Sequence, residues 1–206
     1  MNEQKAREFD EIATTVFAPV YPVIAGLILE RTGIRGGTAI DLGSGPAPLA
    51  IALAEQSGLR VFALDLSPVM LMIAAEHIHA SGLVRRVVPV LGDVQDIPFD
   101  DSTVNLVVSR GSWFFWEDLG RAFKEIHRVL APGGMAYIGG GFGNARLKAE
   151  IHKTMSQRGP EWEKGVLERS QKNNPDRIRE ELGKAGIRSY RLIQDESGFW
   201  AVIGKE

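Results

Sequence analysis

Asp41 stands two residues ahead of Gly43 in the run Asp41-Leu42-Gly43-Ser44-Gly45-Pro46-Ala47, so a carboxylate borders a glycine turn. Glycines without a Cβ let a ligand approach the backbone closely. The acid would repel a pyrophosphate and suits a ligand whose head carries a cation or hydroxyls. The run also departs from the dinucleotide pattern G-x-G-x-x-G and lacks the Lys-Ser/Thr of a triphosphate loop. Asp65, 20 residues beyond Gly45, ends the next apolar segment. A carboxylate there can accept both hydroxyls of a ribose in two charge-assisted hydrogen bonds. The plain structural alternatives are a tight strand–helix turn for the glycines and a helix-opening charge at Ser67-Pro68 for Asp65.

The elements that must position these residues follow from periodicity. Residues 3–13 and Val20 to Thr32 read as helices, the second ended by Gly33. Short apolar strands follow over Thr38–Leu42, Arg60–Leu64, Val87–Leu91, Val104–Val108 and Met135–Gly139. Between them lie helices over Ala47–Gln56, Pro68–His79 and Trp116–Val129. Strands alternating with helices imply parallel strands joined by right-handed crossovers, and ligands outside the strands' carboxyl ends. The tail breaks this rhythm with a charged helical stretch to Lys172, a helix opened by Pro175, and strands Ser189–Gln194 and Phe199–Ile203 as a hairpin. The expected fold is α/β: a doubly wound, mostly parallel seven-stranded sheet with an antiparallel C-terminal hairpin and a helical lid. A single domain over 1–206 is expected, with an N-terminal helical cap over 1–36 and a lid insertion over 141–173.

Two further segments turn this pattern into a family resemblance. Gly92-Asp93-Val94-Gln95-Asp96-Ile97-Pro98-Phe99 follows the third strand, and Arg128-Val129-Leu130-Ala131-Pro132-Gly133-Gly134 precedes the fifth. With the Asp41 run, read as D-x-G-x-G with Ala47 for the last glycine, they resemble the motifs of class I S-adenosylmethionine-dependent methyltransferases. The likeness is nearest the ubiquinone/menaquinone-type small-molecule enzymes, spans about Thr38 to Gly139, and stops short of 1–36 and 141–173. It implies a Rossmann-like methyltransferase fold and S-adenosyl-L-methionine as cofactor. The implied cofactor contacts are Asp41, Gly43, Ser44, Gly45, Asp65, Leu66, Met70, Asp93, Val94, Ser109 and Arg110. Asp93 would take the adenine amino group and the next backbone amide a ring nitrogen, while the Pro-Gly-Gly turn would be structural.

The subgroup's small-residue-plus-His stretch after the fourth strand is replaced by Ser109-Arg110-Gly111-Ser112-Trp113-Phe114-Phe115-Trp116. Arg110 could clamp a substrate carboxylate or phosphate, or pair with Asp93 or Glu117. Trp113 and Phe114 could flank a flat substrate or the sulfonium, or Phe114 and Phe115 could lie buried under the next helix. Phe17 and Tyr21 are further substrate-side candidates, or core. No general base is marked by spacing; Arg110, His152 and Tyr21 are the catalytic candidates, with His77, His79 and His127 read as packing or surface residues. The run Gly139-Gly140-Gly141-Phe142-Gly143 looks like a hinge for the lid, and Gly141→Pro is then expected to harm turnover more than fold.

Composition bounds the rest. The 206 residues are 44% apolar and 24% charged with net charge −2, which excludes a disordered chain. Absence of Cys excludes disulfides, thiolate metal sites and a thiol nucleophile, and fits a cytoplasmic chain. No metal site is expected. Residues 1–140 hold 11 basic and 16 acidic side chains against 13 and 10 in 141–206, no footprint for nucleic acid. The longest uncharged stretch, Thr14 to Leu29, is too short to span a membrane, and the acids before it are unlike a signal peptide. The expected function is in-line methyl transfer to a small-molecule acceptor; the alternative is a non-catalytic sensor or accessory subunit binding S-adenosylmethionine or S-adenosylhomocysteine. The acceptor and the oligomeric state stay open.

Overall fold

Leu106 and Val108 face one side of their strand and Val107 the other, yet all three are buried. That is the signature of a strand covered on both faces, and it sets the architecture. The computed structural model describes residues 2–159 and 161–206; Pro160, inside the expected lid, lies outside the described residues. The elements run α1 (Glu3–Thr15), α2 (Val20–Thr32), β1 (Gly36–Leu42), α3 (Pro48–Gln56), β2 (Gly58–Asp65), α4 (Pro68–Ala80), β3 (Val87–Leu91) and β4 (Val104–Arg110). Then come α5 (Leu119–Val129), β5 (Leu130–Gly140), α6 (Ala145–Ser156), α7 (Glu161–Lys172), α8 (Pro175–Lys184), β6 (Tyr190–Asp195) and β7 (Gly198–Gly204). The sheet order is β3-β2-β1-β4-β5-β7-β6, parallel through β5, with β7 antiparallel to both β5 and β6. The doubly wound sheet and its terminal hairpin are as expected.

Two apolar layers hold it. On one face Ile24, Ile28 and Leu53 of α2 and α3 pack on Ala39, Val61, Leu106 and Tyr137, joined by Leu147, Ile151 and Met155 of α6. On the other, Phe123 and Ile126 of α5 and Ile178 and Leu182 of α8 cover Ile40, Val107 and Ile138. The N-terminal α1 is capped by Asn2, whose side chain accepts from the Lys5 amide. The ion pair Arg7–Glu76 at 2.6 Å and the hydrogen bond between Asp10 and His77 at 2.8 Å fasten it to α4.

Two expectations change. The helix expected from Trp116 begins at Leu119, because the Asp118 side chain caps it by accepting from the Arg121 amide at 2.9 Å. Ahead of it Trp113–Phe115 form a single 3₁₀ turn. The glycine run Gly139–Gly143, which begins within β5, is not built as a hinge. A Cβ on Gly139 would collide with the Phe199 carbonyl oxygen, and one on Gly141 with that of Ser197. These glycines are small because the β6–β7 hairpin lies against them, and their backbone is held in place rather than free.

Candidate functional site

The strand order reverses between β1 and β4, and at such a switch point an open α/β sheet leaves a crevice at its carboxyl end. Asp41 and the glycine turn enter it from β1, Asp65 from β2, and Ser109 and Arg110 from β4. The turn is pinned to β2: the amides of Gly43 and Ser44 donate to the Leu64 carbonyl at 2.8 and 3.0 Å. Gly43 and Gly45 take φ of +65° and +53°, and Ala47 follows at +65°. A Cβ on Gly43 would stand 2.5 Å from that of Ser112, so only glycine fits. Asp65 reaches back across the turn, one carboxylate oxygen accepting from the Gly45 amide at 2.8 Å and the other from the Ser67 amide at 2.9 Å. The ring of Phe9, carried by α1, comes within 3.4 Å of the position a Gly45 Cβ would take.

Asp41 is 2% exposed and one of its carboxylate oxygens has no hydrogen-bond partner among the described residues; the nearby Ser44 hydroxyl is likewise orphaned. Burial pushes the Asp41 carboxyl up from 3.8 to about 7, opposed by the Ala50 amide and reinforced by the charge of Asp65. An acid raised in the folded state holds its proton more tightly there, so its contribution is intact below the unfolded value and is lost as pH rises toward 7. Asp41→Asn removes this dependence. Between about pH 5 and about pH 8 the native chain is expected to lose about 3 kcal/mol more stability than the variant. Urea unfolding of both proteins at the two pH values checks it, and parallel curves would count against it.

The β4 end is built from hydroxyls and aromatic rings. The Ser109 and Ser112 hydroxyls both donate to the Leu42 carbonyl, at 2.8 and 2.9 Å, and touch each other at 2.6 Å, tying the loop after β4 to β1. Half-buried Arg110 donates through Nε and Nη2 to the Gly141 carbonyl at 3.1 and 3.0 Å. Its guanidinium lies 5.0 Å from the Phe17 ring centroid and 5.3 Å from that of Tyr21. Phe17 stacks on Phe142 at 6.2 Å, Phe142 meets His152 edge-on at 5.4 Å, and His152 meets Trp162 at 4.7 Å. The buried Nε2 of His152 has no partner among the described residues. Burial raises the Tyr21 hydroxyl above its ordinary range, with Arg110 pulling the other way.

Other expected residues divide. Half-buried Asp93 accepts from the Gln95 amide at 2.8 Å, beside buried Val94. Leu66, 69% exposed, offers an open apolar surface after Asp65, whereas Met70 is buried against Ala6 and Ile73 under α1. Trp113 is 4% exposed and packs on Phe199 at 5.3 Å, so it belongs to the core. Phe115 is the reverse of the buried residue considered for it, at 73% exposed. Arg110 pairs with neither Asp93 nor Glu117; Arg128 does pair with acids, binding Glu125 and Asp101 and donating to the Ile97 and Phe99 carbonyls. It thereby fixes the Gly92–Phe99 segment. Ser112, Phe9 and Phe142 were missed because each reaches the site only through tertiary contact. Among the described residues no cluster of three or more His, Asp or Glu suits a metal ion, and no single helix is long and apolar enough to cross a membrane.

A switch-point crevice with a glycine turn and acids closing successive strands defines a nucleoside-binding α/β protein of the Rossmann-like kind. A methyltransferase domain family matches residues 40–138. A Methanococcus maripaludis structure classed as an S-adenosyl-L-methionine-dependent methyltransferase is 46% identical, covering 99% of this chain and 93% of that one, with a TM-score of 0.96. The demethylmenaquinone methyltransferase of Chlorobaculum tepidum is 36% identical over 109 residues, 53% of this chain; the chain spans 43% of that relative's length. An Aquifex aeolicus methyltransferase at 19% identity, covering 99% and 97% of the two chains with a TM-score of 0.65, shares the fold. The chain belongs to the class I S-adenosylmethionine-dependent methyltransferase family, near the quinone-type members, and its cofactor is S-adenosylmethionine. The crevice fits that group: the turn has no Cβ at Gly43 and Gly45, and the orphaned oxygens of Asp41 and Ser44 lie beside it.

Proposed function

We propose that the protein transfers the methyl group of S-adenosylmethionine to a small-molecule acceptor seated over the carboxyl ends of β4 and β5. The observation that carries this reading is the aromatic wall of Phe17, Tyr21, Phe142 and Trp162, which gathers beside Arg110 on the far side of the switch point from Asp65. A protein that only sensed the cofactor would gain nothing from rings gathered there. Asp65 would hold the ribose, its oxygens each keeping a lone pair beyond the amides they already accept from. Asp93 and the Val94 amide would hold adenine, with Leu66 against its face, and Asp41, Gly43 and Ser44 would line the path toward sulfur.

The chemistry the cofactor supplies when bound is an electrophilic methyl group on a good leaving group. The chain's part is to align the acceptor and exclude water. The cap over 1–36 and the segment over 141–173 would do this, since α1 brings Phe9 over the turn and α6 brings His152 beside Phe142. His152, with its free buried nitrogen, is the residue placed to take a proton from an acceptor that must lose one. The test is transfer of label from methyl-tritiated S-adenosylmethionine into a small-molecule extract by the purified chain. Label recovered in an extractable product is the expected result, and label that stays in the cofactor across a broad extract would sink the reading.

A further inference from the structure

Arg110 is a cation without a counter-charge among the described residues. No described carboxylate lies within ion-pair distance of it, whereas Arg7, Arg31 and Arg128 each meet an acid. Two of its N–H groups go to the Gly141 carbonyl, and its head lies over the Tyr21 ring. A guanidinium has five N–H donors, so part of its fork is left for another acceptor. The head is fixed in advance by Gly141, Phe17 and Tyr21, at the end of β4 where the crevice opens. Holding a half-buried cation against rings costs part of its hydration, which an anion completing the site would offset.

We propose that Arg110 is the receptor for a carboxylate on the methyl acceptor, which makes the acceptor a carboxylic acid with a flat apolar body. The inference rests on the methyl-transfer reading above and names its substrate class. A carboxylate matches the planar fork and carries one charge to balance one. A doubly charged phosphate would leave an excess charge against Phe17 and Phe142. The body follows from the walls, since rings of Phe17, Phe142 and Trp162 reward a flat apolar surface.

The test uses the full chain saturated with S-adenosylhomocysteine and titrated calorimetrically with naphthoate and with its neutral amide. The wild-type chain is expected to prefer the acid about tenfold. Arg110→Met erases that preference and Arg110→Lys recovers part of it. Equal binding of acid and amide by the wild-type chain, or no binding of the acid, would overturn the proposal, and this comparison needs no variant to fold. So would an Arg110→Met chain that keeps the preference but loses S-adenosylhomocysteine, which would assign Arg110 to the cofactor's own carboxylate. A wild-type chain that binds no S-adenosylhomocysteine defeats the methyl-transfer reading instead; the acid-over-amide comparison, run without it, still decides Arg110.

Discussion

Asp65→Asn lowers affinity for S-adenosylhomocysteine about 100-fold and removes methyl transfer at ordinary cofactor concentrations. The carboxylate accepts from the Gly45 and Ser67 amides, so it both shapes the glycine turn and presents its remaining lone pairs toward the crevice. Asparagine keeps one acceptor oxygen and turns the other into a donor. Two changes then add. One charge-assisted bond to a ribose hydroxyl is lost and the other becomes neutral, together about 2 to 3 kcal/mol. In addition, an amide NH₂ would face the Gly45 N–H, donor against donor, unless the side chain rotates away from Ser67. The variant should therefore also unfold about 1 kcal/mol more easily. Calorimetric titration with S-adenosylhomocysteine reads the first effect and urea unfolding the second. An affinity within about threefold of the native chain would refute the assignment of Asp65 to the ribose.

The residues that announced themselves share one property: their environment is local. Asp41, Gly43 and Gly45 sit within five positions, and the turn's pinning to Leu64 follows from β1 and β2 being neighbouring parallel strands. Strands buried on both faces read as short apolar runs between glycines, which is why β1 to β4 were legible to within two residues at each end, whereas β5 starts at Leu130, ahead of the expected Met135. Residues whose role depends on distant partners were not legible. Trp113 and Phe115 are two apart and chemically alike, yet one is buried on Phe199 and the other exposed, a choice made by β7 some 86 positions onward. Met70 was among the cofactor contacts the resemblance implied, but it is buried under α1. Arg110 was read as pairing with an acid or with substrate; its observed partner is a backbone carbonyl, which no composition or spacing signals. The local chemistry of the cofactor side is thus visible in the chain, while the proposed acceptor side depends on the cap, β5 and α6 converging.

The glycine run at the end of β5 separates a structural role from a dynamic one. Gly139 and Gly141 project toward the hairpin, where the carbonyl oxygens of Phe199 and Ser197 already fill the space of a Cβ, and in both cases the obstruction is backbone. Gly140 projects the other way, and a Cβ there would meet Gly111 at an ordinary 3.8 Å. The three positions therefore predict an alternating result. Gly139→Ala and Gly141→Ala each destabilise the chain by about 3 kcal/mol or more, because the strand pairing of β5 with β7 must open to admit a methyl group. For a chain of this size that corresponds to a fall in Tm of about 6 to 12 °C. Gly140→Ala changes stability by no more than about 0.5 kcal/mol. A hinge would give a different pattern: all three substitutions would stiffen the segment, and turnover would fall while Tm held. Differential scanning calorimetry of the three variants beside their initial rates distinguishes the two. Close packing requires activity to fall only as the folded fraction falls, with Gly140→Ala near normal in both; a Gly141→Ala chain with native Tm and slow turnover would return the segment to the role of a hinge.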